Sequence, residues 1–139
     1  MIVLDTNVVS ELMRPHPADE VVAWFALQDP RGLRLTAVTL AELLYGIARL
    51  SRGRRRSVLE AAIDELSSTF ADEVLPFEQA AARRYAAVVS VRERTGAPIA
   101  ALDAQIAAIC LVHDATLATR NTKDFAGTGV DFVDPWVGA

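Results

Sequence analysis

The sequence predicts an α/β fold with a mainly parallel central sheet flanked by helices. Short apolar runs rich in β-branched residues recur along the chain, and helical stretches separate them. Parallel neighbours need crossovers about the length of a helix, and the strand candidates are spaced to allow them. Hydrophobic residues make up 52% of the 139 residues, enough to bury a core that offsets ordering entropy.

The elements follow in order. Ile2 to Leu4 is an apolar run ended by Asp5-Thr6-Asn7, a buried strand leading into a helix start. Thr6 or Asn7 can cap a helix over Val8 to Arg14, which Pro15 and Pro17 stop. Asp19 to Leu27 carries helical apolar spacing that Asp29-Pro30-Arg31-Gly32 breaks, and Leu33 to Ala37 is a second strand. A helix opens at Thr39 with Leu40, Leu43, Leu44 and Ile47 on one face, and after a polar turn at Ser51 to Gly53 another carries Leu59, Ile63 and Leu66. Val74 to Phe77 is a third strand, and Glu78 to Thr95 an Ala-rich helix closed by Gly96 and Pro98. A helix from Leu102 to His113, a strand from Thr116 to Thr119, a loop from Arg120 to Gly129 and a strand from Val130 to Val133 complete the chain.

The length predicts a single domain over residues 1–139. The longest apolar run, Ile106 to Val112, falls far short of a membrane span, and the start lacks a signal peptide's pattern, so the expected location is the cytoplasm. Cys110 sits among Ile106, Ala107, Ile109 and Leu111 and reads as core. The net charge of −4 excludes a general polyanion coat. Thirteen of the 14 basic residues are nevertheless Arg, with Lys123 the single Lys.

In such sheets ligands bind beyond the carboxyl ends of the strands. Asp5 lies there, directly after the first strand, where it also suits a helix cap. Glu42 closes Thr39-x-x-Glu42, the pattern of a capping box, yet an acid in a first turn can equally point toward the strand ends. Asp103 begins a helix as a cap or first-turn anion, but its flank, Ile99 to Leu102, is apolar and supplies no Lys or Arg to pair with it. The loop from Thr119 to Asp124 follows the fourth strand. Asp19, Asp29, Asp64, Glu65, Asp72, Glu73, Asp114, Asp131 and Asp134 read as solvated.

With only His16 and His113 and one Cys, a His/Cys zinc site is not available, and no Gly-rich phosphate loop or G-x-S-x-G elbow occurs. What remains is a carboxylate cluster. Two carboxylates at 4 Å repel by about 4 kcal/mol at an effective dielectric of 20, a cost that a divalent cation removes. Oxygen ligands select Mg²⁺ or Mn²⁺, and the reaction class that follows is phosphodiester hydrolysis by a metal-activated water.

Leu4-Asp5-Thr6-Asn7, Thr39-x-x-Glu42 with Leu43 and Gly46, Asp103-Ala104-Gln105-Ile106-Ala107, and Ala118-Thr119-Arg120-Asn121-x-x-Asp124-Phe125 together resemble the four motifs of PIN-domain proteins. Their order and spacing are similar to those of the VapC/FitB toxin ribonucleases over essentially the whole chain. The resemblance implies a PIN-like three-layer sandwich and a Mg²⁺-dependent endoribonuclease, with Mn²⁺ an alternative ion. Asp5, Glu42, Asp103 and Asp124 would be its catalytic and metal-binding acids, supported by Thr6, Asn7, Thr119 and Asn121. It also implies a homodimer inhibited by a small DNA-binding antitoxin whose tail lies over the site. Arg49, Arg52, Arg120 and Lys123 are the candidates to grip RNA phosphates, although the stretch Arg49 to Arg56 also reads as a solvated helix end. Two other readings are a catalytically silent PIN-like module that binds RNA or a protein, and an Asp-based phosphotransfer domain. The second lacks an acid at Asn7, where one such family wants it.

Overall fold

The computed structural model describes residues 1–70 and 74–137, so Asp72 and Glu73 lie outside the described residues. Five strands, β1 (Ile2–Leu4), β2 (Leu33–Thr36), β3 (Val74–Leu75), β4 (Thr116–Ala118) and β5 (Phe132–Val133), form one sheet in the order β3-β2-β1-β4-β5. Every pairing is parallel, with Val3 opposite Arg34 on one side and Leu117 on the other. Described helices are α1 (Thr6–Leu12), α2 (Asp19–Ala26), α3 (Ala37–Ala48), α4 (Arg54–Thr69), α5 (Gln79–Arg94), α6 (Ala101–His113) and α7 (Thr122–Phe125).

The three layers follow from alternation along the strands. Val3 and Leu117 pack with Ile106, Ala107 and Ile109 of α6 on one face, whereas Leu4, Leu35 and Ala118 pack with Val8, Val9, Val21 and Ile63 on the other. Ala104, Ala107 and Ala108 are wholly buried, and their small side chains let α6 lie close to its neighbours. Cys110 is also buried, as core. Among the described residues no helix is long and apolar enough to cross a membrane.

Some boundaries differ from the expectation, each for a local reason. Helix α1 begins at Thr6 because Asp5, not Thr6 or Asn7, is its cap. Helix α3 begins at Ala37 because the Thr36 hydroxyl accepts from the Thr39 N–H at 3.0 Å, which moves the cap three residues upstream. The Thr39–Glu42 capping box therefore does not form. Leu44 is 48% exposed rather than on the buried face of α3. The predicted loop after β4 contains the one-turn helix α7, and β5 starts at Phe132 rather than Val130. Leu102, expected to be buried beside Asp103, is 45% exposed.

Candidate active site

The chain leaves β1 toward β2 and returns to the other side of β1 with β4, so the order of the sheet reverses between these two strands. Side chains just beyond them meet at that switch point, where open α/β sheets form their ligand crevice. Asp5 is the first residue past β1, and its N–H donates to the Ala118 carbonyl at 2.9 Å, anchoring it between the strands. It is 3% exposed. Its Oδ1 accepts from the Thr6 N–H at 2.7 Å, which caps α1. Its Oδ2 accepts from the Thr119 hydroxyl at 2.7 Å and from Asn7 Nδ2 at 3.2 Å. Capping and site placement thus fall to different oxygens of one carboxylate.

The supporting residues connect the segments. Thr6 Oγ1 donates to Glu42 Oε1 at 2.8 Å and is hydrogen-bonded to the Thr39 hydroxyl at 3.1 Å, tying α1 to α3. Asn7 Oδ1 accepts from the Arg120 N–H at 3.2 Å, and the Thr119 hydroxyl accepts from the Asn121 N–H at 3.0 Å, fixing the loop after β4. Asn121 itself acts through its backbone, as the N-terminal neighbour of α7, where its carbonyl accepts from Asp124 N–H.

Electrostatics places Asp5, Asp124 and Glu42 within reach of Asp103. Asp103 is the third residue of α6, where the helix dipole favours an anion, yet its carboxyl is pushed up to about 6. Burial is the first cause, followed by the charges of Asp5, Asp124 and Glu42. Burial also raises the Asp5 carboxyl, against the lowering bonds from Thr119, Thr6 and Asn7, and Glu42 adds to the rise. None of the groups that shift these two carboxyls is a Lys or Arg.

These residues could hold a cation. The acids supply oxygen only, which suits a hard divalent ion. Among the described residues no three His, Cys, Asp or Glu side chains stand close enough to form a metal group by themselves.

A groove of about 1200 Å³ leads away from Thr6, Asn7 and Glu42. Leu43, Ile47, Leu59 and Trp136 contribute its apolar lining, and Arg14, Arg54, Arg55 and Arg120 its cations. Of the basic residues expected to meet RNA, Arg120 lines this groove and is held 5.0 Å over the Trp136 ring. Arg49 instead lies 5.6 Å over the Tyr45 ring, and Arg49, Arg52 and Lys123 are not part of the lining. Arg54 and Arg55 take that place because they open α4, whereas Arg56 pairs with Glu60 at 2.7 Å.

The PIN domain family model matches residues 2–130. The chain belongs to the PIN-domain family. VapC ribonuclease Y4jK of Sinorhizobium fredii is 39% identical to this PIN domain over 137 residues, 98% of each chain. Toxin FitB of Neisseria gonorrhoeae is 40% identical over 137 residues, 98% of this chain and 99% of that one. Among solved structures, FitAcB from Neisseria gonorrhoeae matches with a TM-score of 0.93 at 40% identity, over 98% of this chain and 99% of that one. A toxin-antitoxin complex from Klebsiella pneumoniae matches with a TM-score of 0.73 at 26% identity, over 97% and 98%. This PIN domain is therefore of the VapC/FitB group, and the phosphotransfer reading finds no counterpart among these relatives.

The sequence reading missed three residues near the site. Glu11 is 8% exposed, lines the groove and accepts from the Ala18 N–H at 3.0 Å. Trp136 folds back against Arg120. Arg92 is 7% exposed in α5, and its signal was present: Ala81, Tyr85, Val88 and Arg92 recur at helical spacing, which puts a cation on an otherwise apolar stripe.

Proposed function

We propose that this PIN domain is a Mg²⁺-dependent endoribonuclease, with Mn²⁺ a competent substitute, and the toxin of a toxin–antitoxin pair. The observation that carries the reading is the placement of buried Asp5 at the strand switch point, with Glu42 tied to it through Thr6 and with Asp103 raised by burial and by the charges of Asp5, Asp124 and Glu42, no cation being among the groups that shift Asp5 or Asp103. Such an arrangement costs stability and is useful where positive charge arrives with a ligand. Names of the relatives, a ribonuclease and a toxin, agree with it.

Asp5, Glu42, Asp103 and Asp124 would hold the ion. A divalent cation there supplies a Lewis acid for the phosphodiester and makes water a stronger acid near neutral pH. Thr119 and Asn7 orient Oδ2 of Asp5, and Thr6 orients Oε1 of Glu42, so neither carboxylate must reorganise when substrate arrives. Arg14, Arg54, Arg55 and Arg120 bind phosphates along the groove. A silent binding module would gain nothing from four acids beside a polyanion. The proposed partner is a small DNA-binding antitoxin, a reading that the likeness to a toxin-antitoxin complex supports. The proposal also takes the active form to be a homodimer in the cytoplasm.

Purified protein is expected to cut a panel of single-stranded and structured RNAs in Mg²⁺ or Mn²⁺ and to leave them whole in EDTA. Intact RNA with either ion, or equal cleavage in EDTA, overturns the reading. Expression of the chain alone is expected to arrest growth and co-expression of its antitoxin to restore it. Harmless expression of a protein active in vitro removes the toxin role and spares the nuclease.

A further inference from the structure

Asp124 sits on α7, a helix of 4 residues with no length to be stable by itself. Phe125 is wholly buried and pins one side of the turn, while Asp124 is exposed. Arg92 Nη1, reaching across from α5, donates to the Asp124 carbonyl at 2.7 Å and to the Ala126 carbonyl at 2.9 Å. Its Nε donates to the Ala97 carbonyl in the segment that leads into α6 and Asp103. Gly127, at φ 75°, turns the chain beside the Arg92 stem, where an added Cβ would lie 3.9 Å from Arg92 Cδ. Buried Arg is rare and costly unless its donors are taken up, and here all three of these bonds go to main-chain oxygens rather than to a carboxylate.

We infer that Arg92 is a positioning residue: one buried guanidinium clamps the backbone of the Asp124 turn and of the approach to Asp103, setting where two of the four acids stand relative to each other. The inference rests on the proposed role of Asp124 in cleavage. The fork geometry is essential, because a Lys ammonium is a single point and cannot span carbonyls on two segments in the same way.

A double-mutant cycle of Arg92→Lys with Asp124→Asn tests this, using a fluorophore-and-quencher-labelled single-stranded RNA cut by the wild-type protein. Arg92→Lys is expected to lower kcat by about ten- to a hundred-fold with KM unchanged, the size of effect that a misplacement near 1 Å produces. Amide exchange should quicken in residues 122–126 while the rest of the sheet keeps its protection. In the Asp124→Asn background the same substitution should lower kcat by clearly less than it does alone, because one of the two carboxylates it positions is gone and only its hold on the approach to Asp103 remains. Arg92→Gln, which removes the buried charge and keeps two donors, gives the same readings if the Lys variant fails to fold. If Asp124→Asn is slow but Arg92→Lys costs as much in that background as alone, or raises KM instead, the positioning role is overturned and the role of Asp124 stands. If Asp124→Asn cuts at the wild-type rate, the role of Asp124 falls and the inference falls with it.

Discussion

Asp5→Asn is expected to lower RNA cleavage by more than about 100-fold, beyond what loss of a supporting partner around a metal costs, while the fold persists. Asp5 is buried and its ionised form is disfavoured by burial and by Glu42. Asn keeps the oxygen that caps α1 and serves an N-cap as well as Asp does. At the Oδ2 position the new amide meets two donors, the Thr119 hydroxyl and Asn7 Nδ2, so hydrogen bonds are lost there and offset part of the gain from removing the charge. What the substitution removes is a charge that opposes folding and that the proposed chemistry requires. With these two effects opposed, the melting temperature should change little as activity disappears. A folded Asp5→Asn protein retaining a tenth of wild-type turnover would reduce Asp5 to a helix cap.

The second large effect is on Asp103, whose substitution by Asn should abolish cleavage and remove a pH-dependent destabilisation. Burial and the neighbouring acids push its carboxyl up to about 6 in the folded chain from an ordinary 3.8, so the folded state holds this proton more tightly than the unfolded one. As pH rises from about 4 to about 6 the unfolded chain releases the proton first, and stability falls with rising pH across that window. Below it the contribution is fully present, and above it a constant deficit remains. The group is half-buried, so the deficit at pH 7 is about 1 kcal/mol after discounting for solvent. Melting curves of wild type and Asp103→Asn without metal should converge near pH 4 and separate by pH 7, with the variant the more stable. Curves that stay parallel from pH 4 to pH 7 would show that Asp103 feels no such repulsion.

How much of this was legible in the sequence differs by element. The strand and helix alternation was readable because β1, β2 and β4 are short apolar runs and the helices between them keep a period near 3.6. The first residue past β1 was readable as a site position because apolar Ile2–Leu4 stops so abruptly at Asp5. Glu42 was harder. Thr39-x-x-Glu42 fits a capping box, but Thr36 lies one spacing earlier and its hydroxyl reaches Thr39 N–H first, which frees Glu42 to meet Thr6. A one-turn helix such as α7 has too few residues to show a period, and the placement of Asp124 depends on Arg92, 32 positions away in sequence. Long-range contacts of that kind leave no local pattern. The groove cations were misplaced within the Arg stretch by a few residues because the turn before α4 decides which arginines line the groove, and Gly53 at that turn carries no side chain to signal it.

A crystal soaked in Mn²⁺ and measured for anomalous scattering decides whether the four acids hold a divalent cation. A peak is expected beside Asp5 and Asp103 in the wild-type protein, and its loss in an Asp5→Asn crystal soaked alongside. A wild-type crystal with no peak among the four acids, or an equal peak in Asp5→Asn, would contradict it.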